Sequence, residues 1–323
     1  MKKTVIYDLN NLAVRCFFST DVNGNSDSPD FNLWKYRVVE IVYYSLSKFK
    51  NVTEVILAID DTHSWRKVFF PRYKESRKLK RSSDDIDWEE YYKHYEELYS
   101  SIGEFLPFKC IKQSRAEADD VIGVLAHYIQ NEVIVVSNDS DYLQLCIGKK
   151  IKVWNPTKGE YVHLKESRED FITKLCLMGQ KKDDIFNVIT PNDYPFDLRK
   201  PGFGEAAAKK VLKEGLDTFL DKTKKLEKPK LDENKKQEVD EEGNKIFLYK
   251  KEFKPREFFK RNQILIDFKC IPGIISENIK EKYDGYKLPN PNNFYSFFKD
   301  RECQGFLENY NKIELNLLSL YGS

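Results

Sequence analysis

The sequence predicts an α/β protein with a central, mostly parallel sheet, flanking helices and a helical C-terminal region. Three short runs are rich in β-branched residues and end in acid: TVIYD (4–8), EVILAIDD (54–61) and EVIVVSNDSD (132–141). Near-continuous apolar runs of this length are typical of parallel strands that are buried on both faces. Helical patterns lie between them, at residues 31–49, 88–106 and 117–129. Strands that alternate with helices indicate a doubly wound core.

The remaining chain predicts a second, helical part. A fourth short strand, IKVW (151–154), is expected before the chain becomes lysine-rich and helical near residue 168, so we expect an α/β core over 1–168 and a helical domain over 169–323. Residues 221–258 are mostly charged and are interpreted as an inserted, mobile arm, with EEGN as a hairpin tip. The tail from 259 returns to apolar spacing and is expected to pack back on the main body as helices.

Composition limits the class of protein. The chain has 323 residues, of which 41% are apolar and 14% are aromatic, and this is enough for a substantial core. The 54 basic residues nearly balance the 52 acidic ones, so any preference for a charged partner depends on where the charges lie. Six cysteines without a CxxC pair, together with the lack of any long apolar run, predict a reducing cytoplasm and no membrane contact.

Carboxylates gather where the predicted strands end. Ligands of open α/β sheets bind outside the carboxyl ends of the strands. Four acids follow three such ends and three more begin the helix before the third strand: Asp8, Asp60, Asp139, Asp141, Glu117, Asp119 and Asp120. Like charges so close together repel unless cations compensate them, and a pair of hard divalent ions with oxygen ligands, Mg²⁺ above all, does so.

Each acid also has a purely structural interpretation. Glu117, Asp119 and Asp120 suit the positive end of a helix dipole. The DSD run at 139–141 suits a turn that leaves a strand. These alternatives stay open one by one, although the shared position at strand ends weakens them together.

A strongly basic segment follows the second strand. Between Arg66 and Arg81 there are eight lysines and arginines against one acid, Glu75, with the aromatic residues Phe69, Phe70 and Tyr73 among them. Such a mixture suits a segment that follows a phosphate backbone and stacks on bases, and a solvated basic helix is the alternative. Because the segment leaves the strand end that carries Asp60, it favours phosphodiester hydrolysis, in which cations hold the phosphate.

Several motifs in order resemble the 5′-nuclease (flap endonuclease) superfamily, whose core is PIN-like, and most closely its branch of T-even phage ribonucleases H. RAEADDVIG (115–123) resembles the family's EADD signature, and VVSNDSDYLQL (135–145) resembles its DxD at a strand end. WRKVFFPRYKESRK resembles the R-x7-Y-K-x2-R segment of the family's helical arch, here expected at about residues 62–90. Residues 264–289 resemble the C-terminal region of the T-even branch, so the likeness covers most of the chain outside 221–258.

The resemblance assigns roles to particular residues. It implies that the seven acids above and Asp183 hold two Mg²⁺ ions, or Mn²⁺, directly or through water, with Asp8, Asp60 and Asp139 central to catalysis. Lys74 and Arg77 would contact the scissile phosphate, with Arg66 and Tyr73 as further nucleic-acid contacts. PGFGEAAAKKVLKEG (201–215) resembles a helix-hairpin-helix element, within about 179–215. Gly202, Gly204, Lys209 and Lys210 would there bind a duplex phosphate, with K⁺ as a further ion.

The activity implied is a structure-specific, metal-dependent 5′ to 3′ exonuclease and flap endonuclease, with ribonuclease H activity on RNA–DNA hybrids. It would remove RNA primers or 5′ flaps during phage DNA replication and would act as a monomer. Candidate protein partners are a sliding clamp, through the C-terminal NLLSLYGS (316–323), and a single-stranded-DNA-binding protein; a frayed helix end is the alternative for that peptide. The rival functions are a non-catalytic DNA-binding protein on the same fold and a PIN-type ribonuclease.

One stretch departs from the family pattern. GQKKDDI (179–185) corresponds to a family run that reads G-D-x-x-D-N and contributes two acids to the second metal site. Asp183 matches the second acid, Asp184 replaces the asparagine, and Gln180 stands where the first acid is expected. A neutral amide still binds a metal-bound water but removes one negative charge, so we predict that the second ion binds more weakly than in relatives.

Overall fold

A six-stranded sheet forms the centre of the first of two units in this structure, which is a computed structural model. The described residues are 2–21, 30–83, 86–148, 150–195, 197–233, 236–291, 294–300 and 303–321. The first unit comprises Met1–Val68, Ser83–Lys165 and Ile271–Ser323, and the second comprises Phe69–Ser82 and Glu166–Cys270. The main segment of the second unit begins at Glu166, near the predicted boundary at 168. However, Phe69–Ser82 groups with that segment, and the chain from Ile271 onward groups with the sheet. The functional division at 168 stays a prediction.

The sheet confirms the predicted fold class. Its strands are β1 (Lys3–Asp8), β2 (Val52–Ile59), β3 (Lys109–Lys112), β4 (Glu132–Val136), β5 (Ile151–Asn155) and β6 (Glu160–Val162). They lie in the order β3-β2-β1-β4-β5-β6, and every neighbouring pair is parallel except the antiparallel β5 and β6 at one edge. The central strands β1, β2 and β4 are almost wholly buried, as their continuous apolar sequences predict. The four strands expected from the sequence are therefore present.

The helices of the first unit flank this sheet. The first unit contains α1 (Leu9–Asp21), α2 (Phe31–Leu46), α5 (Trp88–Phe105), α6 (Ala118–Tyr128), α11 (Gly273–Asp284), α12 (Phe294–Asp300), α13 (Gln304–Glu308) and α14 (Tyr310–Leu318). Asp30 and Asp87 cap α2 and α5, because each side chain accepts a hydrogen bond from a first-turn amide at 2.9 Å. The C-terminal helices contribute Phe297 and Phe306 to the same core as Trp34, as the apolar spacing of the tail predicts.

The second unit is mainly helical. It contains the end of α3 (Trp65–Phe69), then α4 (Glu75–Arg81), α7 (Arg168–Met178), α8 (Glu205–Glu214), α9 (Leu216–Asp221) and α10 (Pro255–Ile266). Leu177 of α7 packs with Val188, with Ala208 and Val211 of α8, and with Leu220 of α9. Within the described ranges, every helix of the chain is either too short or too polar to serve as a membrane span.

The charged insertion contains a pair of antiparallel strands. β7 (Lys224–Pro229) pairs antiparallel with β8 (Phe247–Phe253), and two isolated antiparallel bridges, Leu231 with Gln237 and Val239 with Lys245, lie between these strands. The tip falls at EEGN as predicted: Gly243 has φ of 84°, and the Asp240 carboxylate accepts the amide of Asn244 at 2.8 Å. Cross-strand ion pairs such as Lys225 with Glu252, at 2.6 Å, explain how so charged a segment forms strands. Its mobility stays a prediction.

Candidate active site

Three of the predicted acids meet at the carboxyl edge of the sheet. Asp8 is the last residue of β1, Asp60 directly follows β2, and Asp139 lies three residues after β4. These strands are neighbours, so their ends lie side by side. Burial, with the nearby carboxylates of Asp60 and Asp139 acting in the same direction, raises the pKa of Asp8 to about 7. The three carboxylates thus follow neighbouring strands at one edge of the sheet.

Hydrogen bonds fix the direction of each of these carboxylates. The Asn11 amide donates to Asp8 at 3.0 Å. Asp60 accepts the Ala118 amide at 2.7 Å and the Asn10 side chain at 2.6 Å. Asp139 caps the short 3₁₀ helix Ser140–Leu145 by accepting the Asp141 amide at 3.0 Å. Asp141 itself is 9% exposed. Backbone amides at the starts of helices thus orient the carboxylates, which is the electrostatic preference of a helix N-terminus.

Two of the acids at the start of α6, Glu117 and Asp120, form hydrogen bonds and ion pairs within the protein. Glu117 and Asp120 form a capping box, in which Asp120 accepts the Glu117 amide at 2.9 Å. Arg66 donates to both, lying 2.8 Å from Asp120 and 3.3 Å from Glu117, and the Trp65 indole also donates to Asp120 at 3.1 Å. Asp120 has no exposed surface and Arg66 has only 2%. Arg66 is therefore buried inside the first unit, and in this conformation a phosphate of the surrounding solution does not reach it.

Tyr142 is a residue of the site that the sequence reasoning missed. Its hydroxyl is completely buried, donates to Asp119, and lies 3.1 Å from Asp8. Burial and the adjacent Asp119 raise the pKa of this phenol well above its ordinary value, so it stays protonated and remains a donor. The tyrosine connects the end of β1 with the start of α6. The sequence offers one signal for it: Tyr142 lies three residues after Asp139 in VVSNDSDYLQL. Its side chain is buried there and carries a hydroxyl group.

This donor set fits a divalent cation. Its members are carboxylate oxygens, which Mg²⁺ and Mn²⁺ prefer over nitrogen or sulfur ligands. Asp60 and Asp139 raise the pKa of Asp8 because their charges repel its ionised form, and a bound cation would relieve this repulsion. Within the described ranges, no three acidic, histidine or cysteine side chains already surround one point closely enough to form a finished cage. The residues present therefore fit the divalent ions implied by the sequence.

In the second unit, GQKKDDI forms a tight, ordered turn. Gly179 ends α7 with φ of 67°, and a Cβ there would lie 2.3 Å from the Ile185 carbonyl oxygen, so only glycine fits. The backbones of Gln180 and Ile185 donate to each other at 2.9 and 3.0 Å and close the turn. Asp184 accepts the Ser76 amide at 2.7 Å. That carboxylate therefore holds the start of α4.

The predicted phosphate contacts pair with an acid of the same unit. Asp183 is 5% exposed and lies 2.7 Å from the Arg77 guanidinium and 4.0 Å from the Lys74 ammonium. Lys74 has φ of 53°, a left-handed conformation that places it at the N-terminus of α4. Tyr73 is only 4% exposed and packs with Phe70 and other apolar residues. Lys74 and Arg77 are thus brought to Asp183, whereas Tyr73 lies in the interior.

The predicted helix-hairpin-helix element has an open entry. Gly204 immediately precedes α8, and a Cβ at Gly202 or Gly204 would meet nothing within 4 Å. The fold itself therefore does not require glycine at either position. Lys209 and Lys210 are exposed on α8 and form helix-surface ion pairs with Glu205 and Glu214, at 2.7 and 3.8 Å. Such exposed pairs are weak, so a nucleic acid would displace them easily.

Carboxylates at the carboxyl edge of a parallel sheet suit the binding of divalent cations, and such cations assist the hydrolysis of phosphodiesters. Residues 3–174 match the model of the 5′-3′ exonuclease N-terminal, resolvase-like domain, and residues 166–313 match that of the T4 RNase H C-terminal domain. The chain therefore belongs to the 5′-3′ exonuclease family. This result confirms the resemblance drawn from the sequence motifs and the prediction of a phosphodiesterase.

Individual relatives agree with this assignment. The chain is 28% identical over 291 residues to ribonuclease H of Enterobacteria phage T4, a match that covers 87% of each protein. It is 27% identical over 196 residues to flap endonuclease Xni of Shewanella sp. strain MR-4, covering 57% of this chain and 69% of that protein. The T5 D15 protein, co-crystallized with metal ions, aligns with a TM-score of 0.54 and 18% identity over 93% of this chain and 98% of its own. The T5 5′-exonuclease with bound zinc aligns with a TM-score of 0.55 and 17% identity, covering 88% of this chain and all of that one, so both likenesses confirm the fold.

Proposed function

We propose that this protein is a structure-specific, metal-dependent 5′ to 3′ exonuclease and flap endonuclease that removes RNA primers or 5′ flaps from replicating DNA. The observation that carries the proposal is the convergence of Asp8, Asp60 and Asp139 at the carboxyl edge of the sheet, in a chain of the 5′-3′ exonuclease family. The named activities of two relatives, a ribonuclease H and a flap endonuclease, support both substrate types.

The carboxylates of the first unit would hold divalent ions. When bound, Mg²⁺ or Mn²⁺ supplies an activated water and neutralises the charge that develops on the phosphate. Asp8, Asp60 and Asp139 would be ligands at the centre, with Asp119 and Asp141 beside them. The raised pKa of Asp8 means that it gives up a proton as an ion binds. Asp183 would serve the second ion, where Gln180 leaves one charge fewer than in relatives.

Arg66, Asp120 and Tyr142 would be positioning residues. Arg66 forms ion pairs with Asp120 and Glu117 and would so fix the start of α6, which carries Asp119. Tyr142 donates to Asp119 and thereby holds its carboxylate in one direction. Neither Arg66 nor Asp120 has enough exposed surface to touch a substrate. Their buried charges are compensated within the protein, which is the condition under which buried ions persist.

Lys74 and Arg77 would bind the scissile phosphate. In the structure their cationic groups face the Asp183 carboxylate, at 4.0 and 2.7 Å. A phosphate, like the Asp183 carboxylate, is negatively charged and has oxygen atoms that accept hydrogen bonds. It would therefore replace Asp183 as the partner of these two cations. Selectivity would come from the junction and a threaded 5′ strand, because phosphate contacts carry no base sequence.

The second unit would grip the duplex beyond the cleavage site. The open glycines at 202 and 204 leave the α8 amides accessible to a phosphate, and K⁺ would add to this helix-hairpin-helix contact. Lys209 and Lys210 lie exposed on the same helix. A functional division at residue 168, monomeric action, and contacts with a sliding clamp and a single-stranded-DNA-binding protein remain part of the proposal. Of the clamp peptide 316–323, the last two residues lie outside the described ones.

A cleavage assay tests this function. Purified protein is incubated with Mg²⁺ and either a 5′-flap duplex or an RNA-primed DNA duplex, each labelled at the 5′ end, and short 5′ products are measured. We expect short products to be released only when the divalent ion is present. The remainder of the cleaved strand should carry a 5′-phosphate. Tight binding of both substrates without any cleavage would instead support the rival, a non-catalytic DNA-binding protein. Cleavage of single-stranded RNA without a junction would support the PIN-type ribonuclease.

A further inference from the structure

The ribbon formed by β7 and β8 has one basic face. The residues of this face alternate along both strands and include no acid: Lys224, Leu226, Lys228, Tyr249, Lys251 and Phe253. Alternate side chains of a strand point to the same side, and residues that pair across two strands share that side. The basic face therefore carries three lysines and no carboxylate of its own.

The opposite face of the ribbon is nearly neutral. Its charged residues form two cross-strand ion pairs, Lys225 with Glu252 at 2.6 Å and Lys250 with Glu227 at 3.6 Å. Each of these lysines already has a carboxylate partner, so this face attracts an anion only weakly. The two faces of one ribbon thus differ in the charge that they offer to a ligand.

Two lysines of the basic face, Lys224 and Lys228, lack an acidic partner. Both are half-buried, and neither forms an ion pair with any residue that the structure describes. The acids of α9 and of the turn before Tyr194 pair with other cations: Asp193 with Lys251 at 2.8 Å, Asp217 with Arg256 at 2.8 Å, and Asp221 with Arg256 at 2.6 Å. A half-buried lysine packs its stem on the protein and keeps its ammonium group in water. These two ammonium groups are therefore available to an anion.

A stack of side chains places Lys224 beside the entry of α8. Phe203 lies between Gly202 and Gly204, the glycines of the predicted helix-hairpin-helix element. Its ring centroid lies 5.6 Å from that of Phe219 on α9. The Lys224 ammonium lies 4.6 Å from the Phe219 centroid, a cation–π contact. All these residues belong to the second unit, so one end of the basic face lies next to the α8 entry within that unit.

The aromatic rings of the basic face pack against the protein. Phe253 is 7% exposed, and its ring centroid lies 5.4 Å from that of Phe258. The Tyr249 ring packs against Tyr194, with centroids 5.0 Å apart. Proteins that bind single strands stack unpaired bases on accessible aromatic rings. The basic face thus offers cations for phosphates but no accessible ring for a base, and this combination favours a duplex.

We propose that the basic face binds the phosphate backbone of a duplex through Lys224 and Lys228 and so lengthens the contact that begins at the α8 entry. Four residues of a strand span about 13 Å, and a DNA strand carries a phosphate about every 3.4 Å of its axis, so the two lysines would reach phosphates about four base pairs apart. The inference rests on the function proposed above, in which the second unit grips the duplex. It adds a second phosphate contact, on the charged insertion.

The test compares duplex binding by variants of the two faces. Lys224→Gln and Lys228→Gln are combined, and Lys225→Gln with Lys250→Gln is the matched control, because it removes two charges from the opposite face of the same ribbon. A third protein, with Lys224→Arg and Lys228→Arg, keeps both charges. Fluorescence anisotropy in Ca²⁺ gives Kd for a DNA duplex and for one of its strands alone, between about 50 and 200 mM salt. Near-ultraviolet circular dichroism checks that the variants are folded.

We expect the basic-face variant to bind the duplex roughly tenfold more weakly at about 0.1 M salt. Its plot of log K against log salt should be shallower by about 2, since each lost duplex phosphate contact removes about 0.9. Single-strand binding should stay nearly unchanged, and the control and the arginine variant should bind both ligands nearly as the unaltered protein does. An unchanged duplex Kd and slope would overturn the proposal. So would an equal loss in the control, or an equal loss for the single strand.

Cleavage of a 5′-flap duplex in Mg²⁺ is measured in parallel. Lys224 and Lys228 would hold the duplex and not the reacting phosphate, so the basic-face variant should raise KM more than it lowers kcat. If the unaltered protein cleaves the flap and the variant binds the duplex normally, the assignment of the basic face alone is wrong. If the unaltered protein neither binds the duplex nor cleaves the flap, the proposed function fails and this inference fails with it.

Discussion

Replacing Arg66 with methionine tests whether this arginine belongs to the protein interior or contacts nucleic acid. The change removes the guanidinium that lies 2.8 Å from Asp120 and 3.3 Å from Glu117, and it leaves two buried carboxylates without their cation. Removing one partner of a buried ion pair costs about 3–5 kcal/mol. The net stability of a domain is about 5–15 kcal/mol, so the variant should lose a large share of it. We expect the unfolding equilibrium to shift by at least about two powers of ten toward the unfolded state.

Urea unfolding followed by tryptophan fluorescence measures this loss, because the Arg66 guanidinium stacks 4.6 Å from the Trp65 ring. Lys67→Met is the matched control, since Lys67 is the exposed neighbour and loses the same charge. The control should change stability by less than about 0.5 kcal/mol. Normal stability of Arg66→Met together with a tenfold loss of DNA affinity in EDTA would refute the reasoning and return Arg66 to the surface role predicted from sequence.

Three further predictions concern the metal site. Gln180→Asp should lower the Mg²⁺ concentration needed for half-maximal cleavage, because it restores a charge near Asp183; an unchanged Mg²⁺ titration would contradict this. Tyr142→Phe should weaken Mn²⁺ binding, measured by calorimetry, roughly 10- to 100-fold, because Asp119 loses its hydroxyl donor, and it should fold normally; full Mn²⁺ affinity would remove the positioning role. Mn²⁺ affinity should fall as pH is lowered through about 7, since Asp8 has a pKa raised to about 7 and is protonated below it; a flat profile from pH 8 to 6 would argue against this.

The central sheet was predictable because its signals are local. TVIYD and EVIVV are continuous apolar runs, and such runs form buried parallel strands in almost any context. The edge strand β3, KCIK, was missed because only Ile111 of its four residues is buried, which leaves no apolar run to detect. Helix α1 was missed because it begins directly after Asp8 without a turn signal between strand and helix. In both cases tertiary pairing, rather than local sequence, decides the structure.

The sequence predicts the candidate site residues that lie at the ends of strands. Asp8, Asp60 and Asp139 lie at the carboxyl ends of neighbouring parallel strands, and this is a rule of sheet topology. Arg66 illustrates the limit, because its surroundings in the sequence are basic and look exposed, whereas its partners lie more than fifty residues away. Tyr142 was missed for the same reason, since its hydrogen bonds join elements that are distant along the chain.

In the proposed function, carboxylates at the edge of the sheet carry out metal-dependent cleavage at the 5′ end of a strand. The most direct measurement compares the unaltered protein with Asp139→Asn on a 5′-flap duplex, recording product release with and without Mg²⁺ and the Kd in Ca²⁺. We predict Mg²⁺-dependent release of short 5′ products by the unaltered protein. Asp139→Asn, which removes one charge at nearly constant shape, should abolish release and change Kd less than threefold. Cleavage by the variant at the normal rate, or cleavage without any divalent ion, would contradict the claim.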